Sequence, residues 1–155
     1  MSKKKKGTYI PFPFETTKSG RPKKPEAFSS IYYSMLISPA FTSLTASQKT
    51  LYMYCKVQYY GEEPVGKPTF SMNKGKWCKK YKLYSEGNAQ GFYRDMEALI
   101  NHGFIDCIYQ GALYHRKNRY MFSNRWQQYG QKDYEVPYNV MTYAMYKRAM
   151  AANNK

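Results

Sequence analysis

The sequence has few of the residues that build disulfide frameworks, metal sites and membrane spans. It contains three cysteines and two histidines, and no two cysteines share the short C-x-x-C spacing of zinc and redox sites. No run approaches the roughly 18 apolar residues of a spanning helix, and no apolar signal core follows the lysines at the amino terminus. We therefore expect a cytoplasmic protein with reduced thiols, no metal, no cofactor and no contact with a membrane.

Catalytic motifs are missing as well. The two histidines form neither the H-x-H pair of a rolling-circle nickase nor an H-E-x-x-H zinc motif. No G-x-x-x-x-G-K-[ST] phosphate loop occurs, and no set of arginine and histidine gathers to activate one of the 18 tyrosines as a nucleophile. These absences predict a binding protein rather than an enzyme.

Acidic residues are also scarce, and the resulting charge is the strongest signal in the composition. The 155 residues include 25 Lys and Arg against 10 Asp and Glu, a formal net charge of +15. Such a charge attracts DNA and RNA, whose phosphates release counterions when Lys and Arg approach. An AT-rich codon bias is the alternative source of the lysine excess. A hydrophobic fraction of 43%, with 18% aromatic residues, nevertheless predicts a packed core.

Residues 1–25 are predicted to form a disordered basic arm. They carry eight Lys and Arg against one Glu and are rich in Pro, Gly, Ser and Thr. Within them, residues 18–25 (KSGRPKKP) resemble the AT-hook motif, in which Gly lets the backbone approach the minor-groove floor and Arg supplies the cation. The candidate minor-groove residues are Arg21, Lys23 and Lys24. A solvated linker is the alternative interpretation.

The apolar periodicity of residues 26–126 predicts an α+β domain that is mainly α-helical. Four helices are expected, over residues 26–37, 45–60, 73–82, and from 85 or 88 to 102, with a capping box at Thr45, a cap at Asn73 and a stop at Gly103. A β-prone piece covers residues 69–72, and residues 104–126 alternate as a β-hairpin with a basic tip. Residues 127–155 are expected to form a linker and an amphipathic helix, whose residues 138–151 are a candidate surface for a homodimer.

Two helices joined by a turn and followed by a hairpin have the order of a winged helix-turn-helix, which places its second helix in the major groove. The candidate base-reading residues are then Asn88, Gln90, Tyr93 and Arg94. The candidate phosphate contacts are Lys74, Lys76, Lys79, Lys80 and Lys82, with Arg116, Lys117 and Arg119 on the hairpin, or wing. A solvated face is the alternative for the lysines, and an i,i+3 pair with Glu97 is the alternative for Arg94.

Three stretches of the chain carry a family pattern: residues 38–45 (SPAFTSLT), 93–105 (YRDMEALINHGFI) and 120–126 (YMFSNRW). They resemble the winged-helix domains encoded by plasmids, phages and integrative elements of Gram-positive bacteria, including the N-terminal domain of replication initiator A proteins. The resemblance implies sequence-specific binding of double-stranded DNA at a replication origin or a promoter. It also implies host replication or transcription proteins as further partners.

One interval departs from this family. Leu83, the apolar residue of the turn, precedes Phe92 by nine residues, whereas the usual interval is about five, so roughly one extra helical turn or a longer loop must lie before the base-reading residues. Two other functions stay open. One is a winged-helix module that recruits or blocks host machinery, and the other is RNA binding through exposed tyrosines and basic patches.

Overall fold

Helices and a small antiparallel sheet make up this α+β fold, in a computed structural model that describes residues 29–59, 69–111, 116–136 and 151. The first helices are α1 (Tyr33–Leu36), α2 (Pro39–Thr42) and α3 (Ala46–Lys56), and a 3₁₀ turn extends α3 over Val57–Tyr59. Next come strand β1 (Thr69–Phe70), a π-helix (Gly75–Lys80) and helix α4 (Ala89–Asn101). Last come strands β2 (Ile105–Tyr109) and β3 (Arg119–Phe122) and a 3₁₀ turn (Arg125–Gln128).

The sheet has the strand order β1-β3-β2, so β3, the last of the three described strands, is the central one. Phe70 of β1 pairs with Tyr120 of β3, which pairs in turn with Cys107 of β2, and all neighbours are antiparallel. The register shifts between Cys107 and Tyr109, and such a bulge increases the local twist. The predicted hairpin and the predicted β-prone piece are therefore confirmed, while residues 112–115 of the hairpin tip lie outside the described residues.

Local capping chemistry sets the ends of the longer helices. Thr45 and Gln48 form a capping box at α3, in which the Thr45 N–H donates to Gln48 Oε1 at 2.9 Å. The side-chain oxygens of Asn73 and Asn88 each accept from the backbone N–H three residues further on, at 3.1 Å. α4 is followed by Gly103 with a φ of +81°, the left-handed conformation typical of a helix end. These predicted starts and this predicted stop are confirmed.

The first predicted helix is much shorter than residues 26–37. Residues 29–32 are not helical, α1 is a single turn, and residues 26–28 lie outside the described residues. In α1 only Met35 is buried, so most of the apolar pattern does not face the core. Ser38 then starts α2, because its Oγ accepts from the Phe41 N–H at 3.2 Å. The first predicted helix therefore ends before this cap, as expected, and α2 lies in the interval before residue 45 where the sequence predicts no helix.

Aromatic rings form the centre of the core. Phe104 is fully buried, and its ring centroid lies 5.8 Å from that of Phe41 and 5.0 Å from that of Tyr52. Trp77 of the π-helix stacks on Phe92 of α4, with 4.9 Å between centroids and 17° between planes. Trp77 and Phe92 are therefore core residues, and their contact fixes the π-helix against α4.

Packing continues beyond residue 126. The Arg125 guanidinium donates from Nε to Asp106 Oδ1 at 3.1 Å and from Nη2 to the Ile100 carbonyl at 2.9 Å. The Tyr134 hydroxyl donates to the Asn101 carbonyl at 2.6 Å. These bonds attach residues 125–134 to the carboxyl end of α4.

Two predicted segments lie outside the described residues. One is the arm, with Arg21, Lys23 and Lys24, and the other is residues 138–150 of the candidate dimer surface. Within the described ranges, no helix has both the length and the apolar character needed to cross a membrane.

Candidate nucleic-acid interface

Helix α4 has one buried face and one polar face. Its core residues Phe92, Met96 and Leu99 are at most 2% exposed. Polar side chains follow the opposite side at the spacing of successive helical turns, and we name them the polar line: Gln90, Arg94, Glu97 and Asn101. Two of these, Glu97 and Asn101, were not among the predicted base-reading residues, although the same 3.6-residue period places them in line.

The other two predicted base-reading residues have structural contacts. Asn88 is the N-cap of α4, and its acceptor oxygen is bonded to the Gly91 N–H at 3.1 Å. Tyr93 is half-buried, with its ring centroid 5.0 Å from that of Phe92. Gln90 and Arg94 are exposed, so they are the better placed of the four for contact with a base.

The five lysines predicted to contact phosphates have different surroundings. Lys76 is half-buried and donates from Nζ to the Ser71 carbonyl at 2.9 Å. Lys74 Nζ lies 2.7 Å from Glu86 Oε1, and this hydrogen bond raises the pKa of Lys74. The other three are exposed around the end of the π-helix: Lys79, Lys80 and Lys82.

Lys82 has an unusual backbone conformation. Its φ is +53°, and every other non-glycine residue in the described ranges has a negative φ. A residue with a β-carbon in this left-handed region costs about 1–2 kcal/mol. The bend at Lys82 allows the next N–H group, that of Leu83, to donate to the Trp77 carbonyl at 2.9 Å. An exposed lysine therefore occupies a position where the backbone favours glycine.

The long interval between Leu83 and Phe92 consists of the end of a loop, residues 81–88, followed by residues 89–91, which form the first turn of α4. Tyr84 holds this loop, because its hydroxyl donates to Asp95 Oδ2 at 2.6 Å. Asp95 is only 6% exposed and also accepts from Gln48 Nε2 at 3.3 Å. Burial, and next the bond to Asp95, raises the pKa of Tyr84. These three side chains fix the start of α4 relative to α3.

The sequence contains a signal for this buried carboxylate. Asp95 lies three residues after Phe92 and four before Leu99, so it falls on the apolar face of α4. A buried carboxylate requires hydrogen-bond donors. Gln48 supplies one from the same side chain that closes the capping box, a double role that the capping motif does not indicate.

The three predicted cations of the hairpin differ in their exposure to solvent. Arg119 is half-buried and donates from Nη2 to Thr69 Oγ1 at 2.7 Å, which links β3 to β1. Arg116 and Lys117 are exposed next to the tip. The Arg116 N–H donates to the Gly111 carbonyl at 2.9 Å and closes the base of the loop. The exposed charge of the described part of the wing therefore comes from Arg116 and Lys117.

Comparison with known proteins gives no family for this chain: no protein-family model, no curated protein and no solved structure matches it. Function is therefore inferred from the site itself. Its parts are a polar line on an exposed helix face, three exposed lysines before that helix, and two exposed cations on the hairpin.

Proposed function

We propose that the chain is a winged helix-turn-helix protein that binds specific sequences of double-stranded DNA. In support, α3, β1, the π-helix, α4 and the β2–β3 hairpin follow one another in the order of such a domain. The strand before the π-helix pairs with the last hairpin strand, which ties the wing to the helices. The observation that carries the proposal is the polar line, opposite the buried face of α4.

In this arrangement α4 enters the major groove. The Gln90 amide pairs with an adenine edge and the Arg94 guanidinium pairs with a guanine. Each contact favours the correct base over a wrong one by about 1–3 kcal/mol. Phosphate contacts come from the exposed cations beside the groove and on the wing: Lys79, Lys80, Lys82, Arg116 and Lys117. These residues bind and position DNA, and none of them has a catalytic role.

The resemblance to winged-helix domains of mobile elements supports a role at a replication origin or a promoter. The chain then acts as a replication initiator-like or transcription-regulating protein, with host replication or transcription proteins as partners. Its net charge of +15 supports a nucleic-acid target, because counterion release favours binding of a basic protein to DNA.

Gln90→Ala and Arg94→Ala are expected to lower sequence discrimination. Selection from a randomised duplex library first gives the preferred site of the unaltered protein. Each variant should then bind that site about 5- to 100-fold more weakly, because a bidentate base contact is worth about 1–3 kcal/mol. A scrambled duplex should show much smaller losses in the same titrations.

Lys132→Ala is the control for Arg94→Ala, because Lys132 is an exposed cation that belongs neither to α4 nor to the proposed phosphate contacts. It should leave the preference between the selected and scrambled duplexes unchanged. Equal losses on both duplexes would remove Gln90 and Arg94 from base reading, and failure to recover any preferred duplex would overturn the proposal.

Lys82→Gly is expected to raise stability and lower DNA affinity at the same time. Glycine tolerates the φ of +53°, so the free energy of unfolding should rise by about 1 kcal/mol. Loss of one phosphate contact should reduce the slope of log Kobs against log salt by about 0.9. Urea unfolding and salt titrations measure the two effects.

Lys82→Ala separates strain from charge, because it removes the ammonium and keeps the β-carbon. It should lose as much affinity as Lys82→Gly without the gain in stability. If Lys82→Gly binds DNA with an unchanged salt slope, Lys82 does not contact a phosphate.

A further inference from the structure

A cleft of about 280 Å³ lies between residues 29–35, α3 and the end of β3, and none of its lining residues belongs to the polar line. Its walls include the rings of Tyr32, Phe122 and Trp126. Trp126 lies parallel to the buried Phe104 ring, with 6.1 Å between centroids and 6° between planes. Phe122 stacks on Phe70, with 4.8 Å between centroids. The core therefore holds two of the three rings in place, and we name this feature the Trp126 cleft.

Hydrogen-bonding groups and one cation complete the Trp126 cleft. Asn124 lines it and occupies the N-cap position of the turn Arg125–Gln128, yet its side chain makes no cap hydrogen bond. Lys56 also lines it, with Nζ 2.6 Å from the Ser30 carbonyl and 5.9 Å from the centroid of Tyr32. The residues that line the cleft thus include an asparagine, those three aromatic residues and a lysine.

These groups match the parts of a nucleotide. Aromatic side chains stack on unpaired bases, an asparagine amide pairs with adenine in both directions, and an ammonium group binds a phosphate. Pockets for drug-sized ligands have volumes of roughly 300–1,000 Å³, so a cleft of about 280 Å³ suits a single base better than a peptide.

We propose that the Trp126 cleft binds one unpaired adenine nucleotide, with the base against Tyr32 and Trp126, the Asn124 amide on its edge and the Lys56 ammonium on a phosphate. This site shares no residue with the polar line. Duplex reading by α4 and adenine binding in the cleft can therefore succeed or fail independently.

Tryptophan fluorescence of the full chain tests the site. The chain has two tryptophans, and Trp77 is only 2% exposed, so a base in the cleft should quench Trp126 alone. Pentadeoxyadenylate is expected to quench saturably and more tightly than pentadeoxythymidylate of equal charge. Deoxyadenosine monophosphate is titrated in parallel to identify the source of the base. Tighter binding of the pentamer than of the monophosphate indicates that the base belongs to a strand rather than to a free nucleotide.

Two variants and two matched controls decide the result. Tyr32→Ala and Asn124→Ala should each weaken pentadeoxyadenylate binding by about 5- to 100-fold. Tyr33→Ala and Gln128→Ala remove exposed neighbours that do not line the cleft, and they should leave binding unchanged. All four positions are exposed, so urea midpoints should stay near that of the unaltered protein.

Equal quenching by both pentamers, or quenching that Tyr32→Ala and Asn124→Ala leave intact, would overturn the site. Absence of any Trp126 quenching by pentadeoxyadenylate would overturn it as well. The same variants are also tested for their preference between the selected and scrambled duplexes. If Tyr32→Ala and Asn124→Ala keep that preference, a failure of the cleft proposal does not affect the proposed role of α4.

Discussion

Gly103→Ala is expected to lower the free energy of unfolding by about 2–5 kcal/mol, because the added methyl group meets both backbone strain and neighbouring backbone atoms. Gly103 has a φ of +81°, where alanine is strained. A β-carbon there would also lie 2.4 Å from the backbone nitrogen of Trp126 and 2.6 Å from the carbonyl carbon of Arg125. Backbone atoms cannot rotate aside, so the turn Arg125–Gln128 must move away from the end of α4.

Gly130→Ala provides a matched control for the conformational part of this effect. Its φ is +83°, nearly the same, but no atom lies within 4 Å of the added β-carbon. It should therefore cost only the strain of the left-handed region, about 1–2 kcal/mol. Urea unfolding of both variants measures the difference. Equal losses would show that the contact between Gly103 and the following turn does not constrain the fold.

Features that depend on neighbouring residues were predictable from the sequence. Thr45 and Gln48 satisfy each other's backbone groups within one turn, and Asn88 caps α4 three residues ahead. Gly103 ends α4 through its own backbone freedom. These interactions need no information about distant parts of the chain, and the helix starts and this stop agree with the prediction.

Features that depend on distant partners were not predictable in the same way. Periodicity cannot show that most of the apolar residues around α1 face solvent, since burial depends on which surface is available to cover them. The loop of residues 81–88 is held by the bond from Tyr84 to Asp95, and Asp95 in turn reaches Gln48 of α3. An extra helical turn and a loop fit the same interval until those partners are known.

The candidate site also combines features that the local sequence predicts with features that depend on distant partners. Alternation of apolar and polar residues predicts the outward position of Gln90 and Arg94 on α4. A count of cations cannot show that Lys76 bonds the Ser71 carbonyl or that Arg119 bonds Thr69. Both are long side chains whose reach allows a partner inside the protein as readily as a phosphate.

Neutralising the arm is expected to cause the largest loss of DNA affinity. Eight Lys and Arg in residues 1–25 are each replaced by glutamine, which preserves the chain length. If half of them neutralise phosphates, the slope of log Kobs against log salt should become shallower by about 3–4, because each contact contributes about 0.9. Affinity near 0.2 M salt should then fall by about 100- to 600-fold, if binding at 1 M salt is unchanged. The preferred duplex should not change, since α4 does the reading.

A full-length Arg21→Lys variant tests whether the arm also reads DNA. It keeps the charge of the arm but removes the guanidinium from the Gly20-Arg21-Pro22 core that resembles an AT-hook. A narrow A·T minor groove attracts that side chain, so loss of preference for A·T-rich flanks would assign it a minor-groove contact. Unchanged flank preference, together with the shallower salt slope of the neutral arm, would make the arm a purely electrostatic contact. An unchanged salt slope in the neutral arm would contradict both roles, because any contact with phosphates must release counterions.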